Sequence, residues 1–138
     1  TACGTMTTQS IPEAPASWMG SGPEWICYSA LTQLGKVPEE DFVYQNSLMG
    51  GRLDKGGAVI DFLFKNPPDL AINVQGTYYH YGMGVETATR DVLGRIQLAS
   101  MGIILIFIDE DSLEENPIYY VQEALRYRDH SRLGSRGL

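Results

Sequence analysis

Long apolar runs are what this sequence most lacks. The longest, Met101 to Ile108, is far short of the about 20 residues a membrane-spanning helix needs. A membrane protein is therefore not expected. Cysteine is scarce, with only Cys3 and Cys27, which allow at most a lone disulfide; reduced thiols in a cytoplasmic setting are the expectation. Positive charge is also in short supply: 10 Lys and Arg stand against 17 Asp and Glu, for a net charge of −7. That balance excludes a broadly basic nucleic-acid coat, although a local basic face can coexist with an acidic average. The acidic stretch Glu110 to Glu115 lacks the DxDxDG pattern of a calcium loop. No internal repeat is present. No basic start followed by an apolar stretch and a cleavage site opens the sequence. It begins at Thr1 rather than Met, which is compatible with processing or with an upstream domain.

What is present fits one domain. A chain of 138 residues buries about two thirds of its unfolded surface and needs no metal or disulfide to hold it. Residues 1–20 read as an extended arm rich in Thr, Ser, Gly and Pro, with Pro12 and Pro15 favouring extended chain and Trp18 placed to pin its end to the body. The body is expected over 21–129, and 130–138 reads as a basic tail.

Within the body, Ser21 and Pro23 open a helix and Gly35 ends it, with Trp25, Ile26, Leu31 and Leu34 as its buried stripe. Strands are predicted over 41–47, 58–64 and 70–74, joined by a Gly-rich hairpin at 49–57 and a turn at 66–69. A helix over 86–101 then crosses to the β-branched run 103–108, the mark of a strand buried on both faces. An acidic loop over 109–115 and a last helix from Asn116 to about Tyr127 complete the order. Helix, three hairpin-linked strands, crossover helix and strand make an α/β domain of three layers around a mixed sheet.

The chemistry-bearing stretch is 61–80. Asp61 lies inside a hydrophobic strand, where a carboxylate is costly unless paired or bound to metal. Asn73 and Gln75 alternate with Ile72 and Val74, so they share one strand face and can approach Asp61 from a neighbouring strand. Asp61, Gln75 and backbone carbonyls would supply half the oxygen shell of a hard cation such as Mg²⁺.

These residues carry a resemblance. The segments VIDFLF and LAINVQGTYYH resemble the site region of PD-(D/E)XK nucleases, closest to the very-short-patch-repair and Glu-Asp-x-His-Asp homing endonuclease groups. Glu24, Asp61, His80 and Asp91 match the series of glutamate, strand aspartate, histidine and helix aspartate, and Gln75 falls at a variable position. The resemblance covers residues 23 to about 126. It implies a three-layer α-β-α restriction-endonuclease-like fold and a metal-dependent endonuclease acting on duplex DNA. It further implies that Asp61 binds Mg²⁺ or Mn²⁺, that His80 is general base or water-orienting group, that Asp91 holds the imidazole, that Glu24 completes the outer shell and that Gln75 contacts the metal through water or orients a phosphate. Arg52 and Lys55 in the Gly-rich connection, or Arg126, Arg128, Arg132 and Arg136 at the C-terminus, would track phosphates, with Tyr78, Tyr79 and Tyr81 stacking or wedging. The third strand departs from the common two-acid pattern, since Asn73 and Gln75 are neutral. Together with the acidic net charge and the arm, this supports an alternative: an inactive nuclease-fold structural or assembly protein, such as a phage particle component. In that reading the arm latches onto a protein partner or a second copy, within a virion.

Each site residue also has an ordinary structural explanation. Glu24 in a first helical turn is favoured by the helix dipole. Asp91, with Arg95 four positions on, suits a helix ion pair. His80 among tyrosines suits aromatic packing. Asn73 suits satisfaction of backbone groups at a strand end.

Overall fold

The computed structural model describes residues 11–44, 53–55, 58–76 and 85–135. It is a mixed α/β domain in which a four-stranded mixed sheet packs against helices.

Helix α1 (Gly22–Gln33) begins where Ser21 caps it. The Ser21 hydroxyl accepts from the Glu24 amide at 3.2 Å, and the Glu24 carboxylate accepts from the Ser21 amide at 3.4 Å, a reciprocal capping box. Gly35, at φ +93°, ends it. The Lys36 amide reaches back to the Leu31 carbonyl and the Gly35 amide to that of Thr32, so the last carbonyls are satisfied. The buried face runs through Glu24, Cys27, Ala30 and Leu31. The expected stripe is thus rotated: Leu31 is core, while Trp25, Ile26 and Leu34 are only partly buried. The cause is the arm. Trp25 donates its ring N–H to the Pro12 carbonyl at 2.6 Å, and Trp18 packs on Trp25 with ring centroids 5.1 Å apart.

The strands are β1 (Phe42–Tyr44), β2 (Leu53–Lys55), β3 (Ala58–Ile60), β4 (Phe62–Phe64), β5 (Leu70–Gln75) and β6 (Ile104–Asp109). The main sheet runs β1-β4-β5-β6, with the first two pairings antiparallel and the last parallel. Helix α2 (Val85–Ala99) connects the parallel pair. Strand β6 matches its continuous apolar sequence, with Leu105 to Asp109 all buried. Residues 70–75 and 104–109 therefore lie side by side, as the sequence predicts.

One strand expectation is corrected. The stretch 58–64 is not a single strand: β3 pairs with β2 in a separate two-stranded ribbon, and only β4 joins the main sheet. A second correction concerns 110–115, expected as loop, which forms helix α3 (Glu110–Glu115). Its acids Glu110 and Asp111 occupy the first turn, where the helix dipole favours them, and Leu113 anchors it in the core. Helix α4 (Pro117–Leu125) follows at once, capped by the Asn116 side chain.

The apolar residues fall into two clusters. One gathers Phe42, Phe62, Leu70, Ile72, Ile106 and Ile108 with α1, α3 and α4. The other gathers Ile60, Ala71, Leu105 and Phe107 with Leu98 of α2 and Leu133 of α5 (Arg132–Ser135). Part of the stretch read as a basic tail is therefore built into the body, since Ser131 and Leu133 are buried.

Asp129 ties that stretch to β6, an outer strand of the main sheet. Its carboxylate accepts from the Phe107 amide at 3.0 Å, from the Ser131 amide at 2.8 Å and from Arg95 at 3.4 Å. Asp129→Ala should therefore lower stability by about 2–3 kcal/mol, the scale of losing hydrogen bonds to a charged acceptor. Urea unfolding with an unchanged slope would confirm this; a loss under about 0.5 kcal/mol would show that the carboxylate does not hold the edge.

Candidate active site

The break between β3 and β4 falls at Asp61. In a regular strand, residues two apart share a face. Ile60 and Phe62 instead enter opposite clusters, so the chain slips phase by one residue at Asp61. Such slips re-aim a side chain and are common beside functional sites. Two hydrogen bonds fix this one. The Asp61 amide donates to Asn73 Oδ1 at 2.8 Å, and Asp61 Oδ2 accepts from the Val74 amide at 3.0 Å. The Asn73 side chain thus takes the place of a ladder partner, and its neutral amide has a structural task.

The carboxylate of Asp61 is buried, and so is that of Glu24, which arrives from α1. Glu24 Oε1 accepts from the Tyr44 hydroxyl as well as from the Ser21 amide. Cys27, on the same helix as Glu24, is a fully buried free thiol. Burial pushes its pKa well up, and the negative charges of Asp61 and Glu24 push it further.

Gln75, the last residue of β5, is buried opposite Asp109, the last residue of β6. Asp109 Oδ2 accepts from the Arg132 amide at 3.0 Å, and the Arg132 guanidinium lies 3.5 Å away. Among the described residues, Asp61 Oδ1 and Gln75 Oε1 are buried oxygens that accept no hydrogen bond, while both residues have other polar partners.

Of the residues singled out in the sequence, Glu24, Asp61 and Gln75 are placed. Asp91 lies on α2, with its side chain outside the described set. Lys55 ends β2, also without a described side chain, and His80, Arg52, Tyr78 and Tyr79 lie outside the described residues. Arg95 pairs with Asp129, and its guanidinium lies over the Phe107 ring. Arg126 and Arg128 face Glu123, and Arg132 faces Asp109 and Asp111.

Sequence reading missed Tyr44, Cys27 and Asp109. Each carries a faint signal: Cys27 is one helical turn beyond Glu24, Tyr44 alternates with Phe42, and Asp109 ends an apolar strand with a charge.

Among the described residues no three His, Cys, Asp or Glu side chains form a metal cluster. What Asp61 and Gln75 offer is carboxylate and amide oxygen, the donor type a hard cation takes with several waters retained. The donor chemistry therefore fits Mg²⁺ or Mn²⁺ bound by few protein ligands, and does not fit a closed cage.

The thiol gives a test of this geometry. Because the folded pKa of Cys27 is raised, the unfolded chain ionises first. Stability is full below the ordinary thiol pKa of about 8.5 and falls as pH rises through it. Wild-type Tm should therefore drop more steeply above that pH than Tm of Cys27→Ser, which carries no ionisable group. Parallel curves would contradict the burial of the Cys27 thiol.

A scan against protein-family models, a search of curated proteins and a search of solved structures each find no match to the chain.

Proposed function

We propose that the chain is a PD-(D/E)XK-type nuclease domain, a metal-dependent endonuclease on duplex DNA. The observation that carries this reading is Asp61: a buried carboxylate turned out of strand phase and braced by Asn73 and Val74, beside the end of β5 where Gln75 lies. The element order adds support. A helix, antiparallel strands β1, β4 and β5, a crossover helix and a parallel last strand are compatible with the three-layer α-β-α domain that the resemblance implies. Ligand sites in α/β sheets favour the carboxyl ends of parallel strands, where Gln75 and Asp109 sit.

A divalent cation at Asp61 would polarise the scissile phosphate and lower the pKa of an attacking water. The residues of this chain divide the remaining work. Asp61 holds the cation and Gln75 orients a phosphate or a bound water. His80 takes the proton of the water, with Asp91 fixing the imidazole. Glu24 shapes the outer shell. Arg52 and Lys55 track the phosphates, and Tyr78 and Tyr79 stack on or wedge between bases.

A second reading has its own support. Asn73 is spent on the backbone, Glu24 on a capping box and Tyr44, and Arg126, Arg128 and Arg132 on carboxylates. With a net charge of −7, these favour an inactive nuclease-fold assembly component.

Nicking of supercoiled plasmid with Mg²⁺ or Mn²⁺ separates the two. Asp61→Asn is the informative variant, because an amide oxygen still accepts from the Val74 amide, whereas Asp61→Ala would also strip that bond. Asp61→Asn should keep its Tm within a few degrees and lose nicking beyond detection. His80→Ala should slow nicking by about 10²–10⁴-fold, the usual contribution of a positioned base. A wild-type protein inert with every divalent metal favours the assembly reading, and nicking that survives Asp61→Asn rejects this site.

A further inference from the structure

The N-terminal arm does more than end at the body. It crosses directly over the Glu24 side of the candidate site. Trp18 stacks on Tyr44 with ring centroids 4.8 Å apart and planes 20° apart, and its ring N–H donates to the Ser21 carbonyl at 3.0 Å. Further out, the Pro12 carbonyl is held by Trp25 at 2.6 Å. Between these anchors and α1, Gly20 presses against the acid itself. A Cβ built there would overlap the Tyr44 hydroxyl and lie 2.7 Å from Glu24 Oε1. The position therefore demands glycine for room rather than for backbone conformation. Tyr44 cannot yield easily, because it is buried and sandwiched between Trp18 and Phe62, the latter 5.0 Å away.

We propose that residues 12–20 are an autoinhibitory strap, clasped by Trp18 and Trp25, that keeps the Glu24 carboxylate committed to Tyr44 until the strap lifts. The strap is suited to opening. Residues 12–17 are exposed and form no helix or strand, so few contacts beyond the aromatic clasp oppose release. Lifting it would uncover the Tyr44 hydroxyl and the Glu24 carboxylate while leaving Asp61 buried and held by Asn73 and Val74. Its consequence for catalysis rests on the nuclease reading; its existence does not.

The experiment is carboxyl footprinting of the full chain with a carbodiimide and an amine, read by peptide mass spectrometry. In the wild type both Glu24 and Asp61 should be protected. Gly20→Ala, which cannot seat the strap, should raise Glu24 labelling at least about tenfold and leave Asp61 protected, as a local opening requires. Trp25→Phe keeps an aromatic ring but loses the indole N–H bond to Pro12 and part of the packing on Trp18, so it serves if Gly20→Ala fails to fold, and it should raise Glu24 labelling by a smaller factor. Protection of Glu24 in both variants overturns the strap, and equal labelling of Glu24 and Asp61 overturns it as a local device. Plasmid nicking runs alongside. Faster nicking in the strap variants supports autoinhibition, whereas unchanged or slower nicking with Glu24 uncovered rejects it. Increased Glu24 labelling with no nicking by any form supports the strap and rejects only the nuclease reading.

Discussion

Everything about the candidate site depends on one exchange of hydrogen bonds between side chain and backbone. At the start of β4 the Asp61 amide is satisfied by the Asn73 side chain, and the Val74 amide by the Asp61 carboxylate. A buried amide left unmatched costs about 1–3 kcal/mol. The two bonds therefore permit a break in strand pairing that would otherwise be unfavourable. The consequence is geometric. Upstream of the break the chain belongs to the ribbon β2–β3, downstream to the main sheet, and the carboxylate sits at the junction. A carboxylate in a regular strand would point squarely into one apolar cluster or the other.

The Asp61 and Glu24 carboxylates are both buried. Burial and the negative charges of Asp61 and Glu24 together raise the Cys27 pKa, so the thiol keeps its proton. A low-dielectric setting of this kind strengthens any charge placed in it and penalises one left without compensation. Glu24 meets that demand locally, through Ser21 and Tyr44. Asp61 meets part of it through the Val74 amide. The two acids are thus unequal: one belongs to a helix cap as much as to the site, and the other sits at the strand break.

Much of this architecture is legible in the sequence, and the misses share a cause. The limits of α1 follow from Ser21, Pro23 and Gly35 because caps and stops are local chemistry. Strand β6 follows from its unbroken apolar run because burial on both faces leaves that mark. The rotation of α1 is not legible, because Trp25 looks like core until the arm is known to cover it. The break at Asp61 is hidden because its cause, Asn73, lies twelve residues away. Helix α3 is hidden because acids at a first turn and acids in a loop read alike; only the burial of Leu113 decides. At the site, Asp61 is legible as a charge in an apolar strand, whereas Tyr44 and Cys27 acquire meaning only when α1 and β1 are brought together.

The most direct measurement of the central claim is anomalous diffraction from crystals of the wild-type protein soaked in Mn²⁺. The strand break, if it serves to present a metal-binding carboxylate, predicts a peak at a coordination distance of roughly 2.2 Å from an Asp61 oxygen, close to the octahedral Mg²⁺ value. Gln75 should face the same ion directly or through water. Ordered density at Asp61 with no peak there, or Mn²⁺ found only on the acidic surface of α3, would contradict the account.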